Sequence, residues 1–339
     1  MTRRVAVLLG DPERPNSVAP DRPFGDDYLQ SLAELRKALA QLEGYEFRYL
    51  TNHATLLDDL RALRGNIDLV FNLCDEGFGN RLDRELHVPA LLEILDLPYT
   101  GAGPECLSWC FDKSLVRHVA AEEGVKVARG CILNGAMPLP YPVIVKPCCA
   151  DGSWGITMRS VAADAAALDR ALAHLREDFA YTGRVLIEEF LPGADLTVGI
   201  IGNPGCYRVL PVLEDSYHEI PAHLPRVCGY EAKWRPDSPY WNVRPQAANL
   251  TAAQHQAVVA GSLRMAERLA CRDYVRCDWR LDAAGEPRLL EVNPNPGWGW
   301  EGDGHFAKMA RLAGMTYPQM LLEILRAAER RHSPLIADR

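Results

Sequence analysis

The chain has 339 residues, 48% apolar and 24% charged, with a net charge of −8. That length predicts two or three units rather than one core, and the acidic balance argues against a nucleic-acid or membrane surface as main partner, though not against a nucleotide held by a few local cations. No run approaches a membrane span, the first apolar run breaks off at Gly10-Asp11-Pro12 too early for a signal peptide, and ten scattered cysteines without a CxxC fit the reduced, functionally silent thiols of a cytoplasmic protein.

In chain order, residues 4–10 read as a strand and 27–42 carry apolar residues at helical spacing. Residues 45–50 alternate like a strand, 67–73 form the continuous apolar run of a buried parallel strand, and 88–95 are helical. The segment LDLPYTGAG closes this stretch as a short strand with a glycine turn. This β-α-β-α-β alternation predicts an open parallel sheet over 1–104. A second unit, 105–190, has a helix at 112–123, strands at 125–133, 141–147 and 155–159, a helix at 162–176 and a strand at 184–190. A third unit, 191–339, is mostly antiparallel, with main helices at 252–270 and 318–330. Its segment 217–243, rich in Pro, His and Trp, reads as a long loop over a site. The expected class is thus α/β, with α+β parts following an open parallel sheet.

The last hairpin carries the sharpest chemistry. Strands at 274–281 and 287–293, joined around Ala284-Gly285, place Asp278 opposite Glu291 and Arg276 opposite Asn293. Glu291 and Asn293 share a face, while Val275, Cys277, Leu281, Leu290 and Val292 are assigned to the apolar one. Two carboxylates about 5 Å apart repel by about 3 kcal/mol at an effective dielectric of about 20, so a positive charge is expected between them. Carboxylates with an amide oxygen are hard ligands of the kind Mg²⁺ prefers. A surface hairpin whose charges face water is the competing arrangement.

Three further motifs line up ahead of the hairpin. YPVIVKPCCADGSWGI ends a strand on Lys146 and follows it with Gly152, Ser153 and Gly155, whose backbone can approach phosphate oxygens. It is not a P-loop, because the lysine precedes the glycines. VLIEEFLPGADLTVGI ends a strand on Glu188-Glu189-Phe190-Leu191 and turns to Asp195, and GYEAKWR sets Lys233 and Trp234 in the long loop.

In this order the motifs resemble the ATP-grasp superfamily, and within it the D-alanine–D-alanine ligase-like enzymes, over about residues 4–328. VPALLEILDLPYTGAG, FDK, VIVKP, EEFLPGADLTV, YEAKW, RCDWRLD and LLEVNPNPG all carry the likeness. The resemblance implies an ATP-grasp architecture in which two α+β units clasp ATP. It implies phosphate contacts for Lys113, Lys146 and Lys233, with Gly152 and Ser153 in the phosphate loop. Glu188, Glu189 and Leu191 would line the adenine site and Asp195 would hold the ribose. Asp278, Glu291 and Asn293 would bind two Mg²⁺ ions (or Mn²⁺), and Arg276 would stabilise the transferred phosphoryl group. It further implies amide or peptide bond formation through an acyl phosphate, with small carboxylate and amine substrates and a homodimeric assembly.

Departures fall on the amino-acid side. The first-strand Glu-Arg step appears as Glu13 and Arg14 among prolines, and the family's His-Gly segment is replaced by NLCDEGFGNRLDRE. The loop tyrosine becomes Trp234. The acceptor loop becomes Trp298-Gly-Trp300-Glu-Gly-Asp-Gly-His305, which assigns Glu13, Trp234, Trp298 and Trp300 to substrate. These changes imply an acceptor other than a second D-alanine, with a larger or cationic substrate against the indoles, the competing arrangement being that the indoles pack under the loop. The alternatives are a true D-alanine–D-alanine ligase of cell-wall synthesis, an ATP-dependent ligase or kinase of another type, and a nucleotide-binding regulatory protein without turnover.

Overall fold

The computed structural model describes residues 2–18, 24–134, 139–300 and 304–337. The chain begins with β1 (Arg3–Leu8), α1 (Asp26–Leu39), β2 (Tyr45–Leu50), α2 (Leu56–Leu63), β3 (Leu69–Asn72) and α3 (His87–Ile94). These strands form a parallel sheet of order β2-β1-β3. Both its faces are buried, as a parallel sheet requires: Val5, Val7 and Phe71 enter one core, Ala6, Leu8 and Val70 another. The expected strand in LDLPYTGAG reduces to one bridge, Val70 to Tyr99, because Leu97 and Tyr99 are buried by side-chain packing rather than by a ladder.

Next come α4 (Pro104–Phe111), α5 (Lys113–Glu122), β4 (Gly130–Ile132), β5 (Val143–Pro147), β6 (Val161–Ala162), α6 (Ala165–Glu177) and β7 (Val185–Glu189), giving an antiparallel sheet of order β4-β7-β5-β6. α4 lay unread in the sequence, although Pro104 sits at its first turn, where a missing N–H costs nothing. The strand expected at 155–159 is absent. Thr157 caps a short 3₁₀ turn, Met158–Ser160, with a reciprocal capping box that competes with strand pairing.

The remaining elements are β8 (Asp195–Ile201), β9 (Arg208–Val209), β10 (Leu213–Ser216), α7 (Tyr230–Trp234), β11 (Arg244–Ala247), α8 (Ala252–Arg268), β12 (Tyr274–Leu281), β13 (Pro287–Asn293), α9 (His305–Leu312) and α10 (Tyr317–Ala337). The large sheet runs β11-β10-β8-β12-β13, with β9 on β8. α4, α5 and α8 bury one of its faces through Val116, Val258, Met265, Val198, Cys277 and Trp279. The last two helices return to the first sheet: Phe306, Met320 and Leu325 pack with Val5 and Leu35. Buried Asp273 fastens this junction, accepting hydrogen bonds from Gly101 N, Asn203 and Arg331. The loop over 217–243 is less open than its composition suggests, since Tyr217, Ile220, Tyr240 and Val243 make a small core of their own.

Candidate active site

The β12–β13 hairpin pairs Asp278 with Glu291 and Arg276 with Asn293. Beyond Asp278 the register shifts, so Trp279 faces Leu289. The extra residue is Leu290, which turns to the cavity, while Leu289 takes the apolar position expected for Leu290. The bulge bends the hairpin without disturbing the facing acids. Each acid has its own cation: Arg276 bonds Asp278 at 2.8 Å, and Lys113 lies 3.1 Å from Glu291. Thr197 donates to Asp278, and the Asn293 amide reaches both carboxylates. Burial pushes the Glu291 carboxyl up, but Lys113, Arg276 and Lys233 together hold it well below the usual range. Burial likewise opposes the charge of Arg276, which Asp278 and Glu291 more than restore. Two carboxylates and an amide on one face are hard oxygen donors suited to a divalent cation, so the residues fit Mg²⁺.

α5 brings Lys113 to this place. Asp112 caps the helix by accepting from Ser114 N at 2.9 Å, which seats Lys113 at the first helical position, where its Nζ also donates to Ala150 O at 2.6 Å. Lys146, on β5, is buried against Glu188 at 2.5 Å, and Arg117 closes on the other oxygen of Glu188. Glu188, 2% exposed, is therefore the counter-ion that holds Lys146, in addition to lining the cavity. Glu189 turns outward to Arg129 at 2.7 Å. Asp195 is gripped by Arg280 at 2.6 Å and receives the Tyr217 hydroxyl, so its carboxylate already has partners where the resemblance assigns a ribose. Leu191 is buried, and its carbonyl accepts from Arg280 at 2.6 Å.

Gly152 and Ser153 both adopt positive φ, 60° and 59°, a conformation costly for Ser153 that makes a tight backbone loop beside the lysines. Trp234 clamps this loop by donating to Gly152 O at 3.0 Å, and Lys233 precedes it as an exposed side chain of α7. His305 pairs with Asp215 at 3.3 Å. Burial raises the Asp215 carboxyl, yet His305 and Lys233 leave it below its ordinary value.

One cavity of about 710 Å³ joins these groups. Its wall includes Lys113, Lys146, Gly152, Ser153, Glu188, Glu189, Leu191, Asp195, Lys233, Trp234, Arg276, Asp278, Glu291, Asn293 and Trp298. Two expected substrate residues lie elsewhere. Glu13 is exposed: Asp11 accepts from the backbone N–H groups of Glu13 and His53, fixing a turn that carries Glu13 outward. Trp300 packs against the first core and does not line the cavity, although Trp298 does both. Glu301 and Asp303, expected in the acceptor loop, lie outside the described residues.

In their stead stand residues the sequence offered only as an unmatched segment. Asp75 and Glu76 enter the cavity from the loop after β3, with Asp151 nearby and Glu85 behind. The Asp75 and Glu76 carboxyls contact each other, and Asp75 Oδ1, Glu76 Oε2 and the Tyr28 hydroxyl are buried without partners. Burial pushes the Asp75 carboxyl up to about 6 and Glu76 well above its ordinary value. Gly10 makes room for them, since a Cβ there would stand 2.7 Å from the Glu76 carboxyl carbon.

Residues 119–326 match the family model described as the D-ala D-ala ligase C-terminus. The chain belongs to the D-alanine–D-alanine ligase family. It is a member of the ATP-grasp C–N ligases, of α/β class. A relative from Halalkalibacterium halodurans, named D-alanine–D-alanine ligase, is 28% identical and covers 94% of this chain and 96% of its own length. One of the same name from Paramagnetospirillum magneticum is 29% identical, covering 95% and 97%. The fold matches a solved D-alanine–D-alanine ligase from Bacillus anthracis complexed with ATP, at a TM-score of 0.70 and 20% identity over 98% of this chain and all of that one. No helix among the described residues is long and apolar enough to cross a membrane.

Proposed function

We propose that this enzyme uses ATP and Mg²⁺ to join a carboxylate to an amine, and that its amino-acid end takes a cationic substrate rather than two D-alanines. The observation that carries this reading is the charge division within one cavity: Lys113, Lys146, Lys233 and Arg276 surround the paired acids at one end, Asp75 and Glu76 stand with Trp298 at the other, and Asp151 lies between them. The first end suits a triphosphate. Lys113 and Lys146 bind its oxygens, the Gly152–Ser153 loop presents backbone N–H groups, and Lys233 covers it from α7. Magnesium, held by Asp278, Glu291 and Asn293, supplies further neutralisation of phosphate charge.

The chemistry follows from the leaving group. An amine cannot displace oxide from a carboxylate. Attack by a carboxylate oxygen on the γ-phosphorus breaks the bond to the β,γ-bridging oxygen, giving ADP and an acyl phosphate, with Arg276 balancing charge on the transferring group. A neutral amine then attacks the acyl carbon. The C–O bond to phosphate breaks, and the amine proton leaves, giving an amide and inorganic phosphate. Trp234 and α7 close the cavity against water that would hydrolyse the intermediate.

At the second end, two adjacent carboxyls with orphaned buried oxygens require a proton or a cation. The attacking amine must be uncharged, so the cation is a group that does not react: the α-ammonium of the amino acid whose carboxylate is phosphorylated or, as we assign it, a side-chain amino or guanidino group. ADP release and dipeptide-product mass spectrometry over amino-acid mixtures test this. Turnover with lysine-, ornithine- or arginine-type substrates supports the reading, and turnover restricted to D-alanine overturns it in favour of the cell-wall ligase. No amino-acid-stimulated ADP release would favour a binding protein without turnover. A homodimer and a second Mg²⁺ ion complete the proposal, with mass photometry and metal titration as their tests.

A further inference from the structure

Ten cysteines without a metal spacing gave no reason to expect a thiol site, yet folding gathers three of them. Cys106 and Cys110 are four residues apart on α4 and therefore share a face. Cys271, in the turn between α8 and β12, meets that face from the other side. The three sulfurs all lie within 4.8 Å of one another, and Cys106 Sγ is 3.7 Å from Cys271 Sγ. All three residues are at least nine-tenths buried, at 4%, 7% and 2% exposure. No other cluster of metal-ligand side chains this tight occurs among the described residues.

We propose that Cys106, Cys110 and Cys271 form a site for a thiophilic d¹⁰ cation of the zinc(II) class, which clamps α4 to the start of β12. Zinc–thiolate bonds of about 2.3 Å set sulfurs about 3.8 Å apart in a tetrahedral shell, close to the 3.7 Å between Cys106 and Cys271, with Cys110 within 4.8 Å of both. Thiolate ligands select such an ion over the hard cations suited to Asp278 and Glu291. Charge closes as well. Three thiolates and a divalent ion leave one negative charge, and Arg272, next to Cys271, lays its guanidinium against Gly103 at the start of α4. The three thiols supply three ligands of a tetrahedral shell, and the fourth would be a small exogenous ligand such as water. Metal binding releases the thiol protons to solvent, with no change of oxidation state.

The clamp has a mechanical consequence. α4 runs directly into Asp112 and Lys113, and β12 carries Arg276 and Asp278. The ion therefore ties the two segments that supply the cations facing the paired acids.

Full-length protein, purified under reducing conditions and freed of metal by chelation, is to be titrated with cobalt(II) and then zinc(II). We expect thiolate charge-transfer absorption that saturates at one thiolate-bound cobalt per chain and is displaced by zinc, together with a higher Tm in zinc than in chelator. Cys110→Ser and Cys271→Ser should lose the band, and Glu291→Gln should keep it. Should the serine variants fail to fold, mercurial titration of the wild-type zinc form must release zinc as three thiols react. Absence of the charge-transfer band, a band that survives both serine variants, or a Cys106–Cys271 disulfide seen as a loss of two hydrogens overturns the site. None of these readouts depends on ligase turnover, so failure of the functional reading is separable.

Discussion

The two ends of the cavity differ in how their charges are settled. At the phosphate end every buried charge has a protein partner: Lys146 with Glu188, Lys113 with Glu291, Arg276 with Asp278. At the amino-acid end Asp75 and Glu76 touch each other and leave oxygens unpaired. A site for a fixed cofactor can be preorganised by its own ion pairs, which rearrange when the triphosphate enters. A site that takes its counter-charge from the substrate stays incomplete until that substrate binds.

The comparison would break most sharply at the paired acids. Glu291→Gln or Asp278→Asn should lower kcat by roughly 100- to 1000-fold with an unchanged circular-dichroism spectrum; wild-type ADP release from either variant would remove them from the chemistry. Glu188→Gln should cost about 3–5 kcal/mol of stability, because it strands Lys146 and Arg117 as buried cations. Thermal or urea unfolding measures it, and a change within error would mean that the ion pair is incidental.

Asp75→Asn sharpens the other end. It should raise KM for a cationic substrate roughly tenfold while leaving KM for ATP in place, since a hydrogen bond to a charged group is worth about 1.5 kcal/mol. Its pH dependence has a definite sign. With the folded carboxyl at about 6, the native state holds a proton that the unfolded state has lost, so stability falls as pH rises from the ordinary carboxyl range to about 6. Substrate binding strengthens over the same rise, as the carboxylate forms. Both trends should flatten in the variant, and a wild-type profile already flat near pH 6 would contradict them. Trp300→Ala, the smallest effect, should cost about 1–2 kcal/mol of stability with little change in substrate preference, because the ring packs on the first core.

Much of this was legible in the chain. The parallel pairing of the first sheet followed from the β-α-β-α-β alternation, and the Asp278–Glu291 pairing followed from a two-residue period with an identifiable turn. The bulge at Leu290 was not legible, because a strand pattern with apolar residues at both 289 and 290 permits either to face inward. Trp300 was misplaced for a related reason: an indole is as good a core residue as a substrate wall, and only neighbours decide. Asp75 and Glu76 were visible only as a segment that failed to match.

The sequence by itself determined the groups that local periodicity and motif order control: the lysine-ended strand, the glycine loop and the facing acids. Tertiary structure alone decided which charges meet. Lys113 reaches Glu291, Glu188 turns to Lys146, and Cys271 closes on Cys106 across more than a hundred residues of chain. Ion pairs and thiol clusters depend on distances of a few ångströms between remote segments, and those distances exist only once separate cores have packed against one another.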